Sequence, residues 1–154
     1  MKNSALVVID LQNDITKNYS EIIEKVNEAI DRAVQNGLWV IYIQHNNLSA
    51  GTKTFKPGTH GAEFVPEMKI VSDCIFTKSK SNALTNEEFA SFIKKNGIDG
   101  FYIAGADATA CIKSTCFILL KAVISFICCR TALQATIKRS CLRCLPIMKA
   151  RAVK

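Results

Sequence analysis

Histidine is scarce in this 154-residue chain, which has only His45 and His60. Two imidazoles leave little material for a divalent metal centre built on histidine. No stretch approaches the run of about 18 uncharged apolar residues that a membrane-spanning helix needs. Met1-Lys2-Asn3 leads straight into an apolar run, so no secretory leader is expected at this start. Low-complexity tracts and internal repeats are missing too, which argues against a linker or a solenoid. The last absence is local. Residues 121–154 contain eight Lys or Arg and no acid, no glycine and no asparagine. Residues 1–120 carry 12 basic residues and all 13 acids, so the formal charge of +7 belongs to the final segment.

What is present is an alternation of short apolar runs and amphipathic stretches. Residues 5–10 form a nearly wholly apolar run ending in Asp10, the pattern of a buried parallel strand. A helix is expected over residues 20–35, with Ser20 as N-cap, Glu21 and Glu24 in the first turn, and Gly37 as the stop. Residues 39–44 read as a second buried strand and residues 72–77 as a third. Between them, residues 46–69 gather Gly51, Pro57, Gly58, Gly61 and Pro66, a long loop of the kind that carries binding surface. Thr85-Asn86-Glu87-Glu88 offers a capping box for a helix to residue 96, stopped by Gly97. Residues 101–104 form a fourth strand and residues 111–121 a further helix. The alternation predicts an α/β domain over residues 1–154: a parallel sheet flanked by helices on both faces, in three layers. Seven cysteines in such a chain point to reduced thiols and a cytoplasmic setting.

Three segments carry chemistry. Gly105-Ala106-Asp107-Ala108-Thr109-Ala110-Cys111 ends a strand and opens a helix, placing Cys111 near a helix N-terminus. Unpaired backbone N–H groups there favour a thiolate and can bind an oxyanion. The plainer reading is that Cys111 is a small buried hydrophobe, as many free cysteines are. Asp10 closes the first strand, and Lys78 follows the apolar residues Ile75 and Phe76. In an open α/β sheet the ligand crevice lies outside the carboxyl ends of the strands, where all three can meet. An acid, a cation and a thiol make a complete nucleophilic set. The lysine holds the thiolate by charge, and the carboxylate takes and returns a proton.

With these residues in view, the chain resembles the isochorismatase-like cysteine hydrolases, the group of nicotinamidases and N-carbamoylsarcosine amidohydrolase. The resemblance rests on Val-Val-Ile-Asp-Leu-Gln-Asn-Asp at residues 7–14, on Lys78 followed by Asn82-Ala83-Leu84, and on Gly105 before Cys111. It covers residues 5–121. It implies Cys111 as nucleophile, Asp10 as general base and acid, and Lys78 as the stabilising cation. It also implies a cis peptide at Ala106–Asp107 that aims the Asp107 N–H, with that of Cys111, at the oxyanion. A retained cysteine is similar to the amide-cleaving members rather than to those that hydrolyse isochorismate. Metal-dependent members carry Asp-x-His after the second strand, whereas this chain reads Ile43-Gln44-His45-Asn46-Asn47. No metal or other cofactor is therefore expected. His45 reads as a strand-end residue that bonds locally or lines the pocket, and His60 as a loop residue. Trp39, Phe55 and Phe64 read as core or loop packing ahead of substrate contacts.

The expected function is hydrolysis of a C–N bond in a small amide-like molecule through a Cys111 thioester. The expected assembly is a homo-oligomer, with no nucleic-acid or membrane partner. The alternative is an inactive homologue that kept the fold as a binding or oligomerisation module.

The final segment breaks this pattern. Where the resembled family continues with Gly-Tyr, a strand, an Asp-containing turn and a last helix, this chain has Ala122-Val123-Ile124-Ser125-Phe126-Ile127-Cys128-Cys129-Arg130. A basic appendage is one reading, but aromatics beyond Phe126 are missing. A zinc site from Cys128, Cys129, Cys141 and Cys144 is another, with an unusual adjacent pair and no histidine after it. The favoured reading is a shifted frame. Restoring one nucleotide after the codon for Ala122 permits Gly-Tyr-Lys-Phe-Tyr-Met-Leu-Ser-Asp-Cys, with codons chosen freely. On the chain as written, residues 123–129 retain the character of an apolar strand, and Pro146 interrupts a weak helical stripe.

Overall fold

In this computed structural model the described residues are 3–16, 21–106, 108–122 and 125–133. Five parallel strands form one sheet: β1 (Ser4–Ile9), β2 (Trp39–His45), β3 (Ile75–Lys78), β4 (Gly100–Gly105) and β5 (Ser125–Leu133), in the order β3-β2-β1-β4-β5. All six residues of β1 are buried, as a central strand with neighbours on both sides requires.

Strand alternation divides the core into two layers. Leu6, Val8, Val40, Tyr42 and Ala104 face one side, where α2 (Glu21–Gln35) lays down Ile22, Ile23, Val26, Ile30 and Ala33. Ala5, Val7, Ile9, Ile41, Ile43, Phe101 and Ile103 face the other. There Phe89 of α3 (Glu87–Lys95) packs with Cys116 and Leu119 of α4 (Lys113–Ala122). The three-layer reading thus holds. Burying each such aliphatic side chain contributes about 1.5–3 kcal/mol, which is why β1 excludes charge until Asp10. A short α1 (Asn13–Thr16) follows β1. None of the described helices is long and apolar enough to cross a membrane.

Local signals explain the boundaries. Gly37 has φ +66°, and the bonds Gly37 N–H to Val34 O and Leu38 N–H to Ala33 O close α2 as a Schellman motif. Ser20 lies outside the described residues. The expected capping box at Thr85 is replaced by a cap one residue on. The Asn86 side chain accepts from the Phe89 N–H at 2.8 Å, because Thr85 is held in the short 3-10 turn Ala83–Thr85. Strand β3 begins at Ile75 rather than residue 72. Ser72 instead turns its hydroxyl onto the Val40 carbonyl, and only 75–78 pair with β2. As an edge strand, β3 leaves Ile75 exposed.

Residues 125–133 do pair with β4, with an irregularity between Ile103 and Gly105. The cysteines at 141 and 144 and the proline at 146 lie outside the described residues.

Candidate active site

The carboxyl ends of β1, β2, β3 and β4 deliver the site. Asp10 directly follows β1 in a left-handed conformation (φ 58°), which a short polar side chain tolerates. His45 and Lys78 end β2 and β3 and are register partners. Gly105 ends β4 beside Ile9 at φ 141°, where any Cβ would sit on the Ile9 carbonyl oxygen. That close approach lets the next residue, Ala106, give its N–H to the same carbonyl at 3.1 Å. The chain then enters a π-helical turn, Ala108–Ile112, which carries Cys111 and runs into α4.

Lys78 is the hub. Its Nζ lies 2.9 Å from Asp10 Oδ2, 3.1 Å from Cys111 Sγ and 3.0 Å from His45 Nδ1. An ammonium has three protons, and each has an acceptor. Lys78 and Asp10 are 3% and 2% exposed and Cys111 9%, so this is a buried ion pair touching a buried thiol. Asp10 Oδ1 is buried and has no hydrogen-bond partner among the described residues. It is the lone pair left over for a proton.

The electrostatics differ from the sequence expectation. Burial first, and then the adjacent Asp10 carboxylate, push the Cys111 thiol up to about 12, although Lys78 pulls the other way. A helix start and a lysine suggested a standing thiolate, but desolvation of a sulfur anion and a neighbouring negative charge outweigh them. The resting set is a carboxylate, an ammonium and a thiol. A nucleophilic role for this sulfur would require its proton to leave at the moment of attack. For His45, burial and then the Lys78 charge hold the imidazole below its ordinary value, against the pull of Asp10.

The surrounding residues fix these side chains. Gln12, fully buried, donates from Nε2 to the His45 and Ala62 carbonyls and accepts the His45 N–H at Oε1. Phe55 presents its ring edge-on to His45, with centroids 5.3 Å apart at 87°. Its backbone has φ 53°, with the N–H on Asp14 Oδ2 at 2.7 Å and the carbonyl accepting from the Asn47 N–H at 2.8 Å. Thr115 of α4 is fully buried and accepts the Ala83 N–H, tying α4 to the turn after β3.

Asp10, Lys78 and Cys111 therefore come together as anticipated. Asp107 and the peptide linking it to Ala106 lie outside the described residues; Ala106 itself is buried and its N–H is already committed. Sequence reading leaves Gln12 unassigned and gives Phe55 to packing. Gln12 stands two residues after Asp10 in the quoted motif, which is the signal available for it. Phe55 offers none, since an aromatic in a long loop has no periodicity to place it. Trp39 and Phe64 do pack, on Phe92 and Tyr42 respectively.

Asp10, His45 and Cys111 offer three ligand atoms within 4.8 Å of one another. The Lys78 ammonium sits in contact with all three, so the position a divalent cation would take already holds a positive charge. The set does not fit a resident metal. His60 is exposed and faces Glu63.

Comparison with known proteins places the chain. Residues 4–122 match the model of the isochorismatase domain, and the protein belongs to that family of hydrolases. A protein of Arabidopsis thaliana, described as a probable inactive nicotinamidase, is 28% identical over 141 residues, covering 75% of this chain and 72% of its own. N-carbamoylsarcosine amidase from Thermoplasma acidophilum superposes with a TM-score of 0.81 at 20% identity, over 93% of this chain and 92% of that one. Pyrazinamidase of Pyrococcus horikoshii, solved in complex with zinc, gives 0.81 at 24% identity over 96% and 95%. The family match stops at Ala122, just inside the basic final segment of residues 121–154.

Proposed function

We propose that this protein is a cysteine amidohydrolase that cleaves a C–N bond of a small amide through a thioester on Cys111. The observation that carries the reading is the buried Lys78 ammonium, 2.9 Å from Asp10 and 3.1 Å from Cys111. Asp10 takes the thiol proton as Cys111 Sγ attacks the carbonyl carbon. Lys78 steadies the anion that remains on sulfur. The family resemblance assigns the oxyanion to the backbone N–H groups of Cys111 and Asp107, the latter outside the described residues. Collapse returns the proton from Asp10 to the departing ammonia or amine. Asp10 then takes a proton from water, which attacks the thioester; the C–S bond breaks, the acid is released and Asp10 returns its proton to the Cys111 sulfur. No metal or cofactor enters these steps.

Support for an amide substrate comes from the retained cysteine and from two structural relatives named as amidases. A homo-oligomer acting on a small molecule in the cytoplasm, without nucleic-acid or membrane partners, completes the proposal. The test is ammonia release across a panel of small amides, with mass spectrometry of the quenched enzyme. An acyl adduct on the Cys111 peptide, lost together with turnover in Cys111→Ala, is expected. Turnover that survives Cys111→Ala refutes the mechanism. The inactive-homologue reading draws on the Arabidopsis relative's description. It requires Cys111 to form no acyl adduct with any amide of the panel.

A further inference from the structure

His45 is the one member of the cluster to which the proposed mechanism gives no task. Four features of its surroundings nevertheless fix it. Its backbone N–H and carbonyl are both bound by the Gln12 carboxamide, at 2.7 and 2.8 Å. Its strand position pairs it in register with Lys78. Its ring lies perpendicular to that of Phe55, which is itself held at positive φ by Asp14 and Asn47. Its Nδ1 stands 3.0 Å from Lys78 Nζ. An ammonium can only donate, so Nδ1 must accept, and the ring proton resides on Nε2. Ordering a backbone, a ring and a tautomer together is costly in conformational entropy for a residue that merely fills space.

We propose that His45 is a positioning residue of this site, whose neutral imidazole accepts the third Lys78 proton and so holds the ammonium between Asp10 and Cys111. This rests on the cysteine-hydrolase reading above. With only two acceptors, the ammonium would drift onto the carboxylate, its stronger partner, and the sulfur would lose the cation that favours its anion. Protonation of His45 has the same effect, since Nδ1 then donates and two cations face each other. Among the described residues, the charged or titratable groups around the ring are Asp10 just after β1, Lys78 from β3 and Cys111 from the π-helical turn, with Asp14 behind Phe55. Burial and Lys78 both keep His45 neutral toward acid, which suits an acceptor.

The experiment follows iodoacetamide alkylation of the Cys111 peptide in the full chain from about pH 6 to about pH 10. Three variants are compared with the wild type: His45→Phe, which keeps a ring against Phe55; His45→Asn, which restores a non-titrating acceptor near the Nδ1 position; and Lys78→Ala. Expected is a drop of about tenfold in His45→Phe, equivalent to about two pKa units on the thiol once the more basic thiolate's greater nucleophilicity is set against it. Expected in His45→Asn is recovery to within about threefold of the wild type. Wild-type rates in His45→Phe, or equal losses in both His45 variants, overturn the positioning role. A Cys111 that forms no acyl adduct with the amide panel, and whose alkylation is indifferent to Lys78→Ala, overturns the nucleophile reading itself. The two failures are therefore distinguishable.

Discussion

Replacing Asp10 by asparagine should drive two measurements in opposite directions. The carboxamide keeps an oxygen for Lys78 but removes the negative charge beside the sulfur. The ligand atoms of Asp10 and Cys111 lie within 4.8 Å of each other. At that separation two unit charges repel by about 3 kcal/mol at an effective dielectric of about 20, or about two pKa units. The Cys111 thiol, pushed up to about 12 by burial and by this carboxylate, should come down accordingly. A less basic thiolate is also a weaker nucleophile, which offsets roughly half of the gain, so alkylation at neutral pH should accelerate about tenfold. Turnover should fall about 10²- to 10⁴-fold, because no group remains to take and return the proton. The assay pairs iodoacetamide mapping of Cys111 with hydrolysis of the amide that the wild type turns over. Disrupting a buried ion pair costs about 3–5 kcal/mol, so a thermal melt must accompany both. Slower alkylation in a folded Asp10→Asn protein would refute the charge argument. Turnover within about tenfold of wild type would refute the base assignment.

Three further outcomes are expected. Gly105→Ala, which puts a Cβ on the Ile9 carbonyl at a φ that L-residues avoid, should lose about 3 kcal/mol or more in urea unfolding, and a loss below about 1 kcal/mol would contradict the packing at the β1–β4 junction. Tyr42→Phe strands the Lys69 carbonyl and the Val71 N–H, both now on the phenol oxygen, and should cost about 1–3 kcal/mol. Burial holds the Tyr42 phenol above its ordinary value, so the unfolded chain ionises first. Wild-type stability should therefore decline as pH rises past about 10, and less so in Tyr42→Phe. For the final segment, peptide mapping of protein expressed from its native gene should return masses of the alternative frame after Ala122, beginning Gly-Tyr. Peptides such as Ala132–Lys138 from the written sequence would defeat the shifted-frame reading.

The sheet was legible because burial leaves so plain a trace. A strand enclosed on both faces must read as Ala5-Leu6-Val7-Val8-Ile9, and a helix that stops at a Schellman motif must find a Gly37. Edge strand β3 starts later than its sequence suggests because its alternation is weak and Ser72 and Asp73 resemble strand polar positions. That Asp10, Lys78 and Cys111 meet was readable from their places at the ends of β1 and β3 and in the turn after β4, since topology alone brings such ends together. Their ionisation was not. Whether a cysteine at a helix start is a thiolate depends on how much water the fold leaves it and on which carboxylate arrives from 101 residues away in sequence, and neither is a local property. The roles of Gln12 and Phe55 were hidden for a related reason: each acts on His45, across gaps of 33 and 10 residues, through contacts that no periodicity announces.

The saturation of Lys78 has a consequence for what can enter. With Asp10 ionised, Lys78 protonated, and His45 and Cys111 neutral, the resting cluster sums to zero formal charge. Moving the proton from sulfur to Asp10 leaves the sum at zero. Among the described residues, the charges of this cluster are therefore already matched to one another, with the proton on sulfur or on Asp10. On the amidohydrolase reading proposed above, a neutral carbonyl compound, which surrenders the least hydration on approach, suits such a cluster better than an ion does.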